Sequence, residues 1–186
     1  KLKKLWRTIY ILPYAVPQLI SLLIFRNLFN GQFGPINETL KFIGVIHPYF
    51  GVIKEEVAWF SDPTIARFTV VLINLWLGFP YFMALLTGSM TSISEELYEA
   101  ARIDGATRFQ QFRGITLPLV IQATTPLIIM SFAFNFNNFG AVFFLTEGGP
   151  TGIYDPSSGA GATDILITWI YKFTLSNQKY SYASVM

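Results

Sequence analysis

Two sets of uncharged polar and aromatic residues recur at helical spacing in this sequence. Asn74, Leu77, Gly78 and Tyr81 fall at i, i+3, i+4 and i+7, and so do Ser131, Phe134, Asn135 and Asn138. On a helix each set shares one face. An aromatic ring flanked by amide and hydroxyl groups suits a neutral, hydroxyl-rich solute such as a sugar. The ring is an apolar platform, and the amides donate and accept hydrogen bonds. The competing reading is structural, because Asn and Ser on apolar helices also bond to neighbouring helices, at about 0.6 kcal/mol each. That reading accounts less well for a Phe inside an Asn and Ser stripe. Tyr10, Tyr14, Gln18 and Ser21 make a third polar stripe near the N-terminus.

Other chemistries lack their residues. The chain has no Cys and a single His, His47, so neither a disulfide nor a His/Cys metal site can form. No phosphate-binding G-x-x-x-x-G-K-[ST], no G-x-S-x-G and no H-E-x-x-H occurs. No ionisable residue lies inside the long apolar runs, so a proton relay is not visible. The sequence makes no case for an enzyme or for a cofactor bound by this chain. A net charge of +2 and the lack of a basic stripe exclude nucleic acid as a natural partner.

The elements that carry the stripes are membrane-like. Of 186 residues, 52% are hydrophobic and only 13% charged, and mean hydropathy is +0.45. Soluble domains carry about 25% charge. Three uncharged runs are long enough to cross a bilayer. They predict an all-α, polytopic membrane protein with spans at about 8–29, 67–91 and 117–140. Pro13 and Pro17 fall in the first span, and Gly78-Phe79-Pro80 should weaken or bend the second. Ala84 and Gly88 suit close helix packing in it.

Between the second and third spans lies a charged hairpin, 92–116. Glu95, Glu96, Glu99, Arg102, Asp104, Arg108 and Arg113 fall there, between two stretches without charge. Ser92 with Glu95 fits a capping box, with Ser94 a rival cap. Glu99 and Arg102 can pair at i, i+3. Gly105 suits the left-handed position that ends a helix, and Phe109 and Phe112 would line one side of a second short helix. Such a module is a docking site at the membrane face. Loops 30–66 and 141–180 flank the spans. The first holds short helices around Ile36–Ile43 and Ile53–Phe60 and a three-residue match to a glycosylation sequon, Asn37-Glu38-Thr39. In the second, a flexible Gly- and Ser-rich stretch, 147–163, precedes an aromatic interfacial helix over Asp164 to Phe173. The basic start, with Lys1, Lys3, Lys4 and Arg7, places the N-terminus and the hairpin in the cytoplasm. Residues 181–186 read as the start of a further span, so the chain is expected to be part of a larger protein.

Glu99-Ala100-Ala101, then Gly105, then Ile115-x-Leu117-Pro118 is similar to the EAA signature of permease subunits of bacterial ABC importers. LPYAVP (12–17), WFSDPT (59–64), NLWLGFPY (74–81), SFAFNFNNF (131–139) and LTEGGP (145–150) extend the resemblance, most closely to the maltose and maltodextrin permeases. The resemblance implies the type I ABC importer permease fold (MetI-like), here as a partial bundle in the inner membrane. It implies that Glu99, Ala100, Ala101 and Gly105 couple to a dimer of ATPase subunits, which use ATP and magnesium. It also implies a second permease subunit, an extracytoplasmic sugar-binding protein and an oligosaccharide as partners. The sugar site it implies maps onto Leu77, Gly78, Tyr81, Ser131, Phe134, Asn135 and Asn138, with Tyr14 in addition. The hairpin is more basic than the family's best-known members.

Overall fold

The structure, a computed structural model, describes residues 2–47, 49, 51–53, 55–151 and 159–185. Lys1 of the basic start and residues 152–158 of the Gly- and Ser-rich loop lie outside the described residues. Ten α-helices follow one another among the described residues: α1 (Leu2–Ala15), α2 (Gln18–Leu28), α3 (Pro35–Phe42), α4 (Pro63–Thr91), α5 (Glu95–Ile103), α6 (Arg108–Gln111), α7 (Leu117–Phe136), α8 (Phe139–Thr146), α9 (Leu166–Tyr171) and α10 (Tyr180–Ala183). π-turns at Phe112–Thr116 and Lys172–Ser176 follow α6 and α9. Among the described residues there is no strand beyond two isolated bridges.

Among the described residues two stretches are long and apolar enough to cross a membrane, Pro63–Thr91 and Arg108–Thr146. The expected first span comprises two helices, α1 and α2, bent by 92° at Val16-Pro17, which makes it a broken span or a re-entrant loop. Pro17 supplies no N–H to continue the ladder. By contrast, α4 stays helical through Gly78-Phe79-Pro80, where the Pro80 side chain is fully buried. Its start is set by Asp62, whose carboxylate accepts from the N–H groups of Thr64 and Ile65 at 2.9 and 2.8 Å, with Pro63 in the first turn. Ala84 and Gly88 are exposed, and nothing stands within 4 Å of where a Gly88 Cβ would project.

The chain divides into two compact units. The first comprises Lys1–Ile11 and Gly78–Asn135, the second Leu12–Leu77 and Phe136–Met186. The first unit holds most of α7, with Thr116, Val120 and Thr124 buried along one side. Tyr10 packs edge-on against Phe79 in it, ring centroids 6.2 Å apart.

The second unit is organised around Leu22, Phe29, Ile73 and Leu145, with α2 packed along α8. Its buried Asn is fully bonded, while the buried Trp169 indole N–H meets no acceptor among the described residues. Asn37 is 1% exposed. Its amide donates to the carbonyls of Gly31 and Val57 and accepts from the Trp59 indole at 2.9 Å. The sequon is therefore a packed structural amide, out of reach of a glycosylating enzyme. The helix expected over 53–60 does not form. The Ile53 N–H donates to the Val45 carbonyl at 3.0 Å and its carbonyl accepts from the His47 N–H at 2.9 Å, a short bridge that takes the groups a helix would need. Lys54 lies outside the described residues. Lys41 reaches both Glu38 and Glu56, at 2.8 and 2.7 Å. The hydrogen bond to Glu38, then that to Glu56, holds its ammonium above the usual 10.5.

Past α8 the backbone closes on itself. The Thr163 N–H donates to the Gly148 carbonyl and its hydroxyl to the Gly149 carbonyl, while Ala162 N–H meets the Pro150 carbonyl. Asp164, its side chain 5% exposed, accepts from Gly161 N–H, the Thr168 hydroxyl and the Lys172 ammonium at 2.7, 2.9 and 2.7 Å.

Candidate functional site

The hairpin is built by competition for hydrogen bonds. The Ser92 hydroxyl donates back to the Ser89 carbonyl at 2.8 Å and is spent on the end of α4. Ser94 therefore caps α5, accepting from Glu96 N–H at 3.3 Å, which corrects the expectation that Ser92 would. Gly105 takes φ +77°, and Ala106 N–H reaches the Ala101 carbonyl at 2.8 Å, so the left-handed stop falls where the sequence puts Gly. A reciprocal cap between Thr107 and Gln110 then opens α6.

Two bonds fix the hairpin's shape. The Tyr98 hydroxyl meets the Thr116 hydroxyl at 2.8 Å, and the Gln111 amide donates to the Ala106 carbonyl at 2.9 Å. The first was not legible as a pair in sequence, because 18 residues separate Tyr98 and Thr116. The Arg102 Nε donates to the Tyr98 carbonyl at 3.2 Å, and the expected Glu99 to Arg102 pair does not form. Of the residues expected to couple to an ATPase, Glu99, Ala100 and Gly105 are exposed and Ala101 is half-buried. A hollow of about 570 Å3 opens between α5 and α6, lined by Glu95, Tyr98, Arg102, Thr107, Arg108 and Gln111 among others.

The residues expected to meet a solute fall in both units, and each unit is described separately. In the first unit Tyr81 lies against Phe82, ring centroids 5.3 Å apart, and Gly78 leaves open space where a Cβ would stand. Phe134 is 66% exposed, Ser131 is half-buried, and the Asn135 amide donates to the Ser131 carbonyl at 2.8 Å.

In the second unit Tyr14 is exposed and Leu77 packs against the apolar core. Asn138 departs from its predicted place. The α-helix ends at Phe136, so Asn138 does not continue the face of Ser131, Phe134 and Asn135. Its side-chain oxygen caps α8, accepting from Ala141 N–H at 3.3 Å, and its amide N–H donates to the Asn74 side-chain amide oxygen Oδ1 at 3.1 Å. Structural pairing, weighed in the sequence for the whole stripe, is what occupies Asn74 and Asn138. Consecutive Asn137 and Asn138 were the available signal for the break, since Asn competes with helical hydrogen bonding through its own side chain.

All of residues 1–186 match the family described as binding-protein-dependent transport system inner membrane component. Over 170 residues the chain is 49% identical to the maltose/maltodextrin transport system permease protein MalF of Klebsiella aerogenes and to that of Escherichia coli (strain K12), covering 91% of this chain and 31% of each relative. It is 44% identical over 186 residues to the galactooligosaccharides transport system permease protein GanP of Bacillus subtilis (strain 168), covering all of this chain and 42% of that protein. The chain thus spans less than half the length of these curated relatives. A bacterial ABC transporter involved in the import of the acidic polysaccharide alginate has the same fold, with a TM-score of 0.77 at 24% identity over 99% of this chain and 58% of that one. A structure of the alginate transporter in complex with its alginate pentasaccharide-bound periplasmic protein gives a TM-score of 0.78 at 23% identity. The chain belongs to the family of inner-membrane components of binding-protein-dependent transport systems.

Proposed function

We propose that this chain forms membrane-spanning core of a permease subunit in an ATP-driven importer of neutral oligosaccharides of the maltose and maltodextrin type. The 49% identity to the MalF permeases carries this reading, because a match over 91% of the chain takes in the hairpin and the helices on either side of it. A dimer of ATPase subunits, using ATP and magnesium, engages α5 and α6 from the cytoplasm. Its closure pushes on Glu99, Ala100, Ala101 and Gly105. The push passes to α4, which leads into the hairpin, and to α7, which leads out, and the subunit alternates between inward- and outward-facing states. A second permease subunit completes the pathway, and an extracytoplasmic binding protein delivers the sugar. This chain contributes no catalysis.

Tyr81 and Phe134 offer stacking faces, and Ser131 and Asn135 polar groups, while Gly78 leaves room for the solute. Tyr14, Leu77 and Asn138 are further proposed contacts. None of these residues is cationic, which disfavours acidic or phosphorylated sugars, for which Arg or Lys would be needed. The test is uptake of a maltodextrin length series by the full-length transporter in cells without their own importer. Deleting Glu99–Gly105 should abolish both uptake and ATPase association; normal uptake in that deletion overturns the coupled reading. Asn135→Ala should raise the transport KM about tenfold, as loss of one good hydrogen bond does. The 44% identity to GanP along the whole chain supports a second reading, galacto-oligosaccharides. Saturable uptake of those without maltodextrin uptake would select it.

A further inference from the structure

We infer that the hollow between α5 and α6 receives a carboxylate side chain of the ATPase subunit, gripped by the guanidinium groups of Arg102 and Arg108. The inference rests on the coupled reading of the hairpin and deepens it by naming the chemistry of the contact. Three observations carry it. First, Arg102 and Arg108 both line the hollow, both are exposed, and neither meets a carboxylate among the described residues. Second, Arg102 is held in place. Its Nε donates to the Tyr98 carbonyl at 3.2 Å, and Tyr98 is itself tied to the buried Thr116, so its two terminal nitrogens remain for a partner outside the chain. A side chain already ordered loses less freedom on binding. Third, the charge count fits one carboxylate. Two guanidiniums and Glu95 leave the hollow one positive charge.

The guanidinium fork matches a carboxylate bidentately, which gives register as well as attraction. An anionic lipid surface is recognised by clusters of four to eight basic residues, roughly, and without an intervening acid. The two large apolar residues Ile103 and Phe109, 86% and 70% exposed on the same hairpin, suit the dry core of a protein contact beside such a pair.

The experiment uses the full-length permease with its companion subunit in lipid discs, titrated with its purified ATPase subunit. Arg102→Gln with Arg108→Gln should weaken binding about a hundredfold, about tenfold for each charged hydrogen-bonding group lost. The salt dependence of binding should flatten as well, since less of the attraction is left to screen. Lysine at both positions should recover part of the affinity. Both side chains are exposed, so the variants should reach the membrane in normal amount; an ATPase carboxylate whose change to Arg restores binding to Arg102→Glu provides a second, fold-independent measure. Wild-type affinity and salt slope in the double Gln variant overturn the inference. If deletion of Glu99–Gly105 abolishes binding while the Gln variant does not, only this inference falls; if the deletion also binds normally, the coupled reading falls with it. A defect seen only in discs containing phosphatidylglycerol makes the occupant a lipid headgroup and also overturns the inference.

Discussion

The hairpin and the segment that follows α8 use charge in opposite ways. Glu95, Glu96, Glu99, Arg102, Asp104, Arg108 and Arg113 are all exposed, and none makes an ion pair among the described residues. After α8, Asp164 and Lys172 are 5% and 20% exposed at the side chain and 2.7 Å apart, and Gly161 and Thr168 fill the remaining positions on the carboxylate. Burying such a pair costs several kcal/mol of desolvation per ion, offset only when the geometry is good and the other lone pairs are met. Leaving surface charges unpaired costs almost nothing, since exposed pairs contribute about 0–1 kcal/mol. Charge therefore holds the shape of the segment after α8. In the hairpin it is left available. Glu95, Glu96 and Arg102 favour the ends of α5 through the helix dipole, but no ion pair among the described residues uses the hairpin charges.

That contrast breaks most easily at Asp164. Asp164→Ala strands a half-buried ammonium and an N–H, and should destabilise by about 3 kcal/mol. Thermal unfolding of the full-length protein in detergent would show it, with Lys172→Met beside it milder than Asp164→Ala alone; a loss below about 1 kcal/mol would mean that the pair is not needed. Gly105→Ala should cost about 1 kcal/mol, from φ +77° alone, because no neighbour stands within 4 Å of the new Cβ. Gly105→Asn should cost less, as Asn tolerates the left-handed region. Arg113→Gln should shift stability by less than about 0.5 kcal/mol. A larger loss in the same unfolding assay would show that hairpin charges do hold the fold.

Features set by local hydrogen bonding and side-chain period could be read from the sequence. Gly105 stops α5, and α3 occupies Pro35–Phe42 against the expected Ile36–Ile43. Features set by distant partners could not. Asn37 resembles a surface acceptor until Val57 and Trp59 close over it. Ser92 and Ser94 are equivalent caps until the Ser89 carbonyl claims one of them. For the candidate site, spacing gave two faces, but it assumed an unbroken helix through Asn138. The bond to Asn74 comes from a residue 64 positions earlier, beyond any period. The hollow at Arg102 and Arg108 likewise joins residues of two helices, with Tyr98 on its lining bonded to Thr116, 18 positions later.

The π-turn at Phe112–Thr116 has a consequence for how α7 is presented. A π-turn holds about one residue more than the α-turn it replaces, and each residue of an α-helix advances about 100° around the axis. The turn therefore acts as a vernier between the hairpin and α7. Thr116, Val120 and Thr124 now face inward. Removing a single residue from 112–116 would rotate that row by about 100° and carry its hydroxyls toward the side now held by exposed isoleucines such as Ile121 and Ile128. Here the length of the chain, more than its composition, decides which side of the helix meets its surroundings.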